Sequence, residues 1–88
     1  MTQKELRRWY YLPPEQKTER EQQKILGFIK EISDPFIADI FKFRYIDCCS
    51  WSKVAELVGG KNTADGVRMV ARRYVARISS ASKERISD

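Results

Sequence analysis

There is no histidine anywhere in the 88 residues of this chain. That absence removes imidazole acid–base chemistry, Ser-His-Asp and Cys-His nucleophile pairs, and every metal site that needs a histidine ligand. Cysteine is nearly as scarce: Cys48 and Cys49 stand side by side. Adjacent cysteines bridge only in strained geometry, and two thiolates are too few for a structural zinc site. Both therefore read as small, reduced residues in a helix–helix connection, which points to a cytoplasmic setting. No apolar run approaches the roughly 20 residues of a membrane span, and the charged N-terminus lacks the apolar stretch of a secretory signal. No membrane, metal or cofactor partner is expected. An enzyme is the least favoured class, because no catalytic constellation remains. Ser50-Trp51-Ser52-Lys53 does match the S-x-x-K of some serine acyl-enzymes, but the companion motifs are missing and the chain is too short for that fold.

What the sequence does have is positive charge, unevenly spread. Lysine and arginine total 17 against 12 aspartates and glutamates, a formal net charge of +5. Residues 1–24 carry six basic and four acidic side chains, residues 25–60 four and five, and residues 61–88 seven and three. The excess therefore gathers at the C-terminal end, which favours a polyanionic partner there. One small domain is expected, with a modest core.

The most organised stretch lies in this basic region. Apolar residues at 51, 54, 55, 57 and 58 give one short helix a buried face, and those at 67, 70, 71, 74, 75 and 78 do the same for a longer one. Gly59-Gly60 supplies the backbone freedom for a sharp turn between them. Short helix, glycine turn and longer helix over residues 50–78 form the pattern of a helix-turn-helix, whose second helix can lie in a DNA major groove. Ser50 caps the first helix and Trp51 anchors it; Asn62 or Thr63 caps the second. Between Lys61 and Ile78, five basic residues (Lys61, Arg68, Arg72, Arg73, Arg77) face one acidic residue, Asp65. Arg68, Met69, Arg72 and Arg73 turn away from the apolar stripe, and an arginine fork suits both phosphate and guanine edges. A solvated arginine face is the plainer alternative. Asp65 either complements the helix dipole, accepts from a cytosine amino group, or orients Arg68. Gly66 is unfavourable inside a helix, and either lets DNA approach the backbone or is simply tolerated.

The remaining elements are simpler. Leu6, Trp9, Tyr10 and Leu12 suggest a short amphipathic turn in an N-terminal arm, residues 1–14, stopped by Pro13-Pro14. Its Trp9-Tyr10-Tyr11 cluster beside Arg7-Arg8 either stacks on nucleic acid or, more simply, pins the arm to the domain or a partner. A helix should start at Glu15, solvated at first, then buried through Ile25, Phe28, Ile29 and Ile32. Ser33-Asp34-Pro35 opens a further helix, PFIADIFKFRYI, apolar nearly all round and suited to the centre of the core. Arg44, set among its aromatics, should pair with Glu56 or another carboxylate, a phosphate contact being the alternative. Residues 79–88 form a polar tail expected to fray, with at most a last helical turn through Ile86. The fold class is all-α, a small bundle of about four helices ending in the helix-turn-helix, with residues 15–78 as the single domain.

From Ile32 to Val75 the chain resembles sigma-like helix-turn-helix proteins of phages and prophages of Gram-positive bacteria, the ArpU and RinA type of late-gene regulator. More distantly it is similar to the promoter-reading C-terminal module of sigma factors. The residues that carry this are Ile32-Ser33-Asp34, Phe43-Arg44-Tyr45-Ile46, Ser50-Trp51 with Val54-Ala55, and Gly59 through Asp65 leading to Val67-Arg68 and Arg72-Arg73-Tyr74. In the sigma module the residues opening the last helix read the promoter. Here they fall on Ala64, Asp65, Gly66, Arg68 and Met69, of which Arg68 keeps the long basic chemistry.

The resemblance implies phage transcription control, and the helix-turn-helix pattern combined with its basic face points to double-stranded DNA as partner. Arg68, Met69 and Arg72 are expected at base edges, with Thr63 and Asp65 at the helix start. Lys61, Arg73, Arg77 and Lys53 are expected at phosphates. One such helix covers a small footprint, so a homodimer or larger assembly is expected. The rival reading is a protein-interaction module that docks on a host protein such as RNA polymerase or inhibits a host enzyme. A DNA-packaging adaptor is a further alternative.

Overall fold

The structure, a computed structural model, describes the backbone of residues 2–87 and the side-chain surroundings of residues 2–78. Five α-helices and no strands are found among the described residues: α1 (Gln3–Tyr11), α2 (Glu19–Lys30), α3 (Pro35–Phe41), α4 (Trp51–Val58) and α5 (Ala64–Ser87). The all-α bundle is as expected, with one helix more than the sequence suggested.

The additional helix is α1, formed where the sequence suggested a short amphipathic turn pinned to the domain. Thr2 caps it by accepting from the Glu5 N–H. Leu6 is fully buried and Trp9 nearly so, one turn apart on the same face. Burying an indole leaves its N–H in need of an acceptor. Trp9 Nε1 donates to the Tyr45 carbonyl at 2.8 Å. That carbonyl lies at a helix end, where backbone oxygens lack intrahelical partners. Each group thus satisfies the other, and α1 belongs to the core.

The second helix starts later than expected. Pro14–Gln16 form a single 3₁₀ turn, and α2 begins only at Glu19. Thr18 decides this, because its hydroxyl accepts from the Glu21 N–H at 3.2 Å. Thr18-Glu19-Arg20-Glu21 has the spacing of a capping box, a stronger start signal than a proline followed by charges. Ile25 then faces the core, as its spacing predicts.

Asp34 caps α3 with Pro35 in the first turn. The helical path extends to Ile46 as expected, but its last five residues, Lys42–Ile46, form a wider π-turn closed by Asp47 N–H donating to the Lys42 carbonyl at 3.1 Å. Ile40, Phe41 and Tyr45 are buried here. Phe41 is the hub: its ring centroid lies 5.4 Å from Phe28, 5.8 Å from Tyr45 and 5.8 Å from Tyr74.

Ser50 caps α4 by accepting from the Lys53 N–H. Gly59 ends it at φ 77°, ψ −170°, backbone space that essentially only glycine occupies. Asn62 Nδ2 closes the turn onto the Gly59 carbonyl at 2.7 Å. α5 buries Val67, Ala71 and Val75 at four-residue intervals. It continues through Ser87, so the backbone of residues 79–87 is helical rather than frayed at Ile78; Asp88 lies outside the described residues.

Candidate nucleic-acid interface

The start of α5 is built by its cap. The Gly66 N–H donates to Thr63 Oγ1 at 3.0 Å. A Cβ on Gly66 would lie 3.1 Å from that same oxygen, closer than real Cβ contacts normally come. Glycine here keeps the cap hydroxyl in place, so its role is local. One turn on, Arg68 Nη2 reaches Asp65 Oδ1 at 3.5 Å, a long and solvated pair that orients Arg68 with little energetic weight.

All nine residues singled out from the sequence are exposed: Lys53, Lys61, Thr63, Asp65, Arg68, Met69, Arg72, Arg73 and Arg77. The structure divides them. Arg68 and Arg72, four residues apart, share one flank of α5 and line a pocket of about 360 Å³. Arg73 and Arg77, also four apart, lie outside that lining, and the Arg77 guanidinium sits 5.5 Å from the Tyr74 ring centroid. Lys53 stays on α4, where its ammonium lies 3.7 Å from Glu56. That pair leaves Glu56 as a surface partner of Lys53 and overturns the expected Arg44–Glu56 bridge.

Arg44 is held by rings instead. Its guanidinium lies 3.6 Å from the Tyr10 ring centroid and 4.4 Å from that of Trp51, and Nη1 donates to the Cys49 carbonyl at 3.0 Å. A delocalised, weakly hydrated cation tolerates such a half-buried slot where an ammonium does not. The Trp51 indole thereby joins α4 to α1 through Arg44.

The pocket opens beside this stack. Arg7 and Arg44 line one side and Arg68 and Arg72 another, with Tyr10, Tyr11 and Trp51 among the walls. No lining residue is acidic. Gln3 Oε1 and Arg44 Nε are buried without a protein partner. Burial pushes the Tyr45 phenol above its ordinary range, while neighbouring Arg44 and Gln3 hold it partly back. Sequence reading missed Gln3 as a member of this site; Arg7 entered only with the aromatic cluster of residues 9–11 as a stacking alternative, and Arg44 only as an alternative phosphate contact. No helical period links residues 3, 7, 44, 68 and 72; only tertiary packing brings them together.

Among the described residues no three His, Cys, Asp or Glu side chains gather as metal ligands, and Cys48 and Cys49 are free thiols. No described helix is long and apolar enough to cross a membrane. These features define a small all-helical protein whose C-terminal helix carries an exposed arginine face. No family model, curated protein or solved structure matches the chain.

Proposed function

We propose that the chain binds double-stranded DNA, with α4, the glycine turn and α5 acting as a helix-turn-helix and α5 entering the major groove. The observation that carries this reading is the exposed arginine face of α5, set against its buried Val67, Ala71 and Val75. Arg68, Met69 and Arg72 serve base edges; Lys61, Arg73 and Arg77, with Lys53 from α4, serve phosphates. Thr63 and Asp65 fix the helix start and the direction of Arg68. The resemblance to sigma-like phage regulators supports a role in transcription, and the small footprint of one α5 favours a homodimer.

Selection from random-sequence duplex DNA at two salt concentrations tests the reading. A defined motif is expected, relaxed at one position by Arg68→Ala at a cost of about 1–3 kcal/mol. Arg73→Ala should weaken all sequences alike and lower the salt slope by about one. Binding that ignores every one of these substitutions defeats the groove model. It would leave docking on a host protein such as RNA polymerase as the better reading.

A further inference from the structure

We infer that the pocket between α1, the π-turn and α5 seats one nucleotide unit, its phosphate against the arginines and its base against the tyrosine rings. Side chains of Arg7, Arg44, Arg68 and Arg72 line one concavity with no carboxylate in its lining, although Asp65 meets Arg68 at 3.5 Å from outside it. Like charges around one concavity repel, and an anion between them reverses the sign of that energy. Arginine is the side chain whose planar fork matches phosphate oxygens, and Arg44 is already fixed by its ring stack and its bond to Cys49.

Size and wall chemistry narrow the anion. A volume of about 360 Å³ exceeds what a lone phosphate fills and falls at the small end of ligand sites, roughly 300–1,000 Å³. Tyr11 is 70% exposed, and its ring stands at a right angle to that of Tyr10 at 5.0 Å, which leaves aromatic surface for a planar group to stack on. An acidic peptide would use the arginines but has no need of the rings.

The unit can come from a free nucleotide or from a nucleic-acid strand. Arg68 and Arg72 serve both this pocket and the proposed groove-reading face, so a free nucleotide competes with duplex DNA. This competition rests on the DNA-binding reading; the pocket's affinity for a nucleotide does not.

Calorimetry on the full chain tests it, using AMP, adenosine, inorganic phosphate, a 5′-phosphorylated trinucleotide and a poly-glutamate peptide. Arg7→Glu and Tyr11→Ala change exposed side chains, and circular dichroism checks that both fold. Arg20→Ala, an exposed arginine on α2 outside the pocket and outside the proposed DNA face, serves as the control. AMP or the trinucleotide is expected to bind at least about tenfold tighter than phosphate or adenosine. Arg7→Glu should weaken that binding about tenfold or more, with Arg20→Ala leaving it unchanged. Binding of AMP assigns a free ligand; binding of the trinucleotide alone assigns a strand. Phosphate or poly-glutamate bound as tightly as AMP, or indifference to Arg7→Glu, overturns the inference. A chain that selects duplex DNA yet binds no nucleotide loses only the pocket assignment. A chain that binds AMP but no duplex loses only the groove-reading model.

Discussion

Arg44 shows how much one side chain can organise here. It lies half-buried between Tyr10 and Trp51, donates to the Cys49 carbonyl, and so ties α1, the π-turn and α4 together. Arg44→Ala should destabilise the fold by about 2 kcal/mol in urea titration, from the lost cation–π contacts and charged hydrogen bond. Arg44→Lys should recover less than half, because an ammonium cannot stack as a plane. Tyr45 gives a second residue-scale test. Its phenol is pushed up in the folded state by burial, so the folded chain holds that proton more tightly than the unfolded chain does. Its contribution is fully present below the unfolded value of about 10 and is lost as pH rises through the higher folded value. In thermal melts above pH ~10, Tyr45→Phe should therefore lose less stability than the natural chain.

At the scale of elements, caps decide more than propensity does. The core faces of α2 and α5 follow their apolar spacing, that of α4 does so at Val54 and Ala55 but leaves Leu57 exposed, and Ser50, Asp34 and Thr63 cap where they should. Two starts misled because the capping signal was passed over: Thr2 with Glu5 opens α1, and Thr18 with Glu21 opens α2. Both are Thr-x-x-Glu, a pattern local enough to be legible. The π-turn was not legible, since nothing in KFRYI distinguishes five-residue from four-residue hydrogen bonding. The start of α5 offers a test of the cap itself. Gly66→Ala gains up to about 1 kcal/mol of helix propensity but crowds the Thr63 hydroxyl, whose cap is worth about the same. In denaturant melts the substitution should be nearly neutral alone and stabilising in a Thr63→Ala background. Additive effects would show that Thr63 does not set the requirement for glycine.

At the scale of the whole molecule, the N-terminal helix is what sequence reading undervalued. Leu6 and Trp9 are spaced for burial, but a nine-residue segment rich in charge gives no sign of what it will pack against. The answer lies 36 residues away, at Tyr45. The candidate site has the same character. Its α5 half was visible as a row of arginines, and its other half arrives from α1 and the π-turn by packing alone. Deleting residues 2–12 should therefore abolish the single cooperative thermal transition followed by circular dichroism, because it opens the core around Tyr45. Survival of a sharp transition would return α1 to the status of an appendage.

The docking of α1 on Tyr45 also sets an order of events. α1 cannot find its place until the chain has been built past the π-turn, and the pocket cannot close until Arg68 and Arg72 exist. Local pairs such as α4 with α5 can form early, whereas this long-range closure waits on the greatest loss of chain entropy. On the ribosome, Trp9 is made 36 residues ahead of the carbonyl it docks on, and for that interval the indole and Leu6 lie exposed as an adhesive surface of the nascent chain.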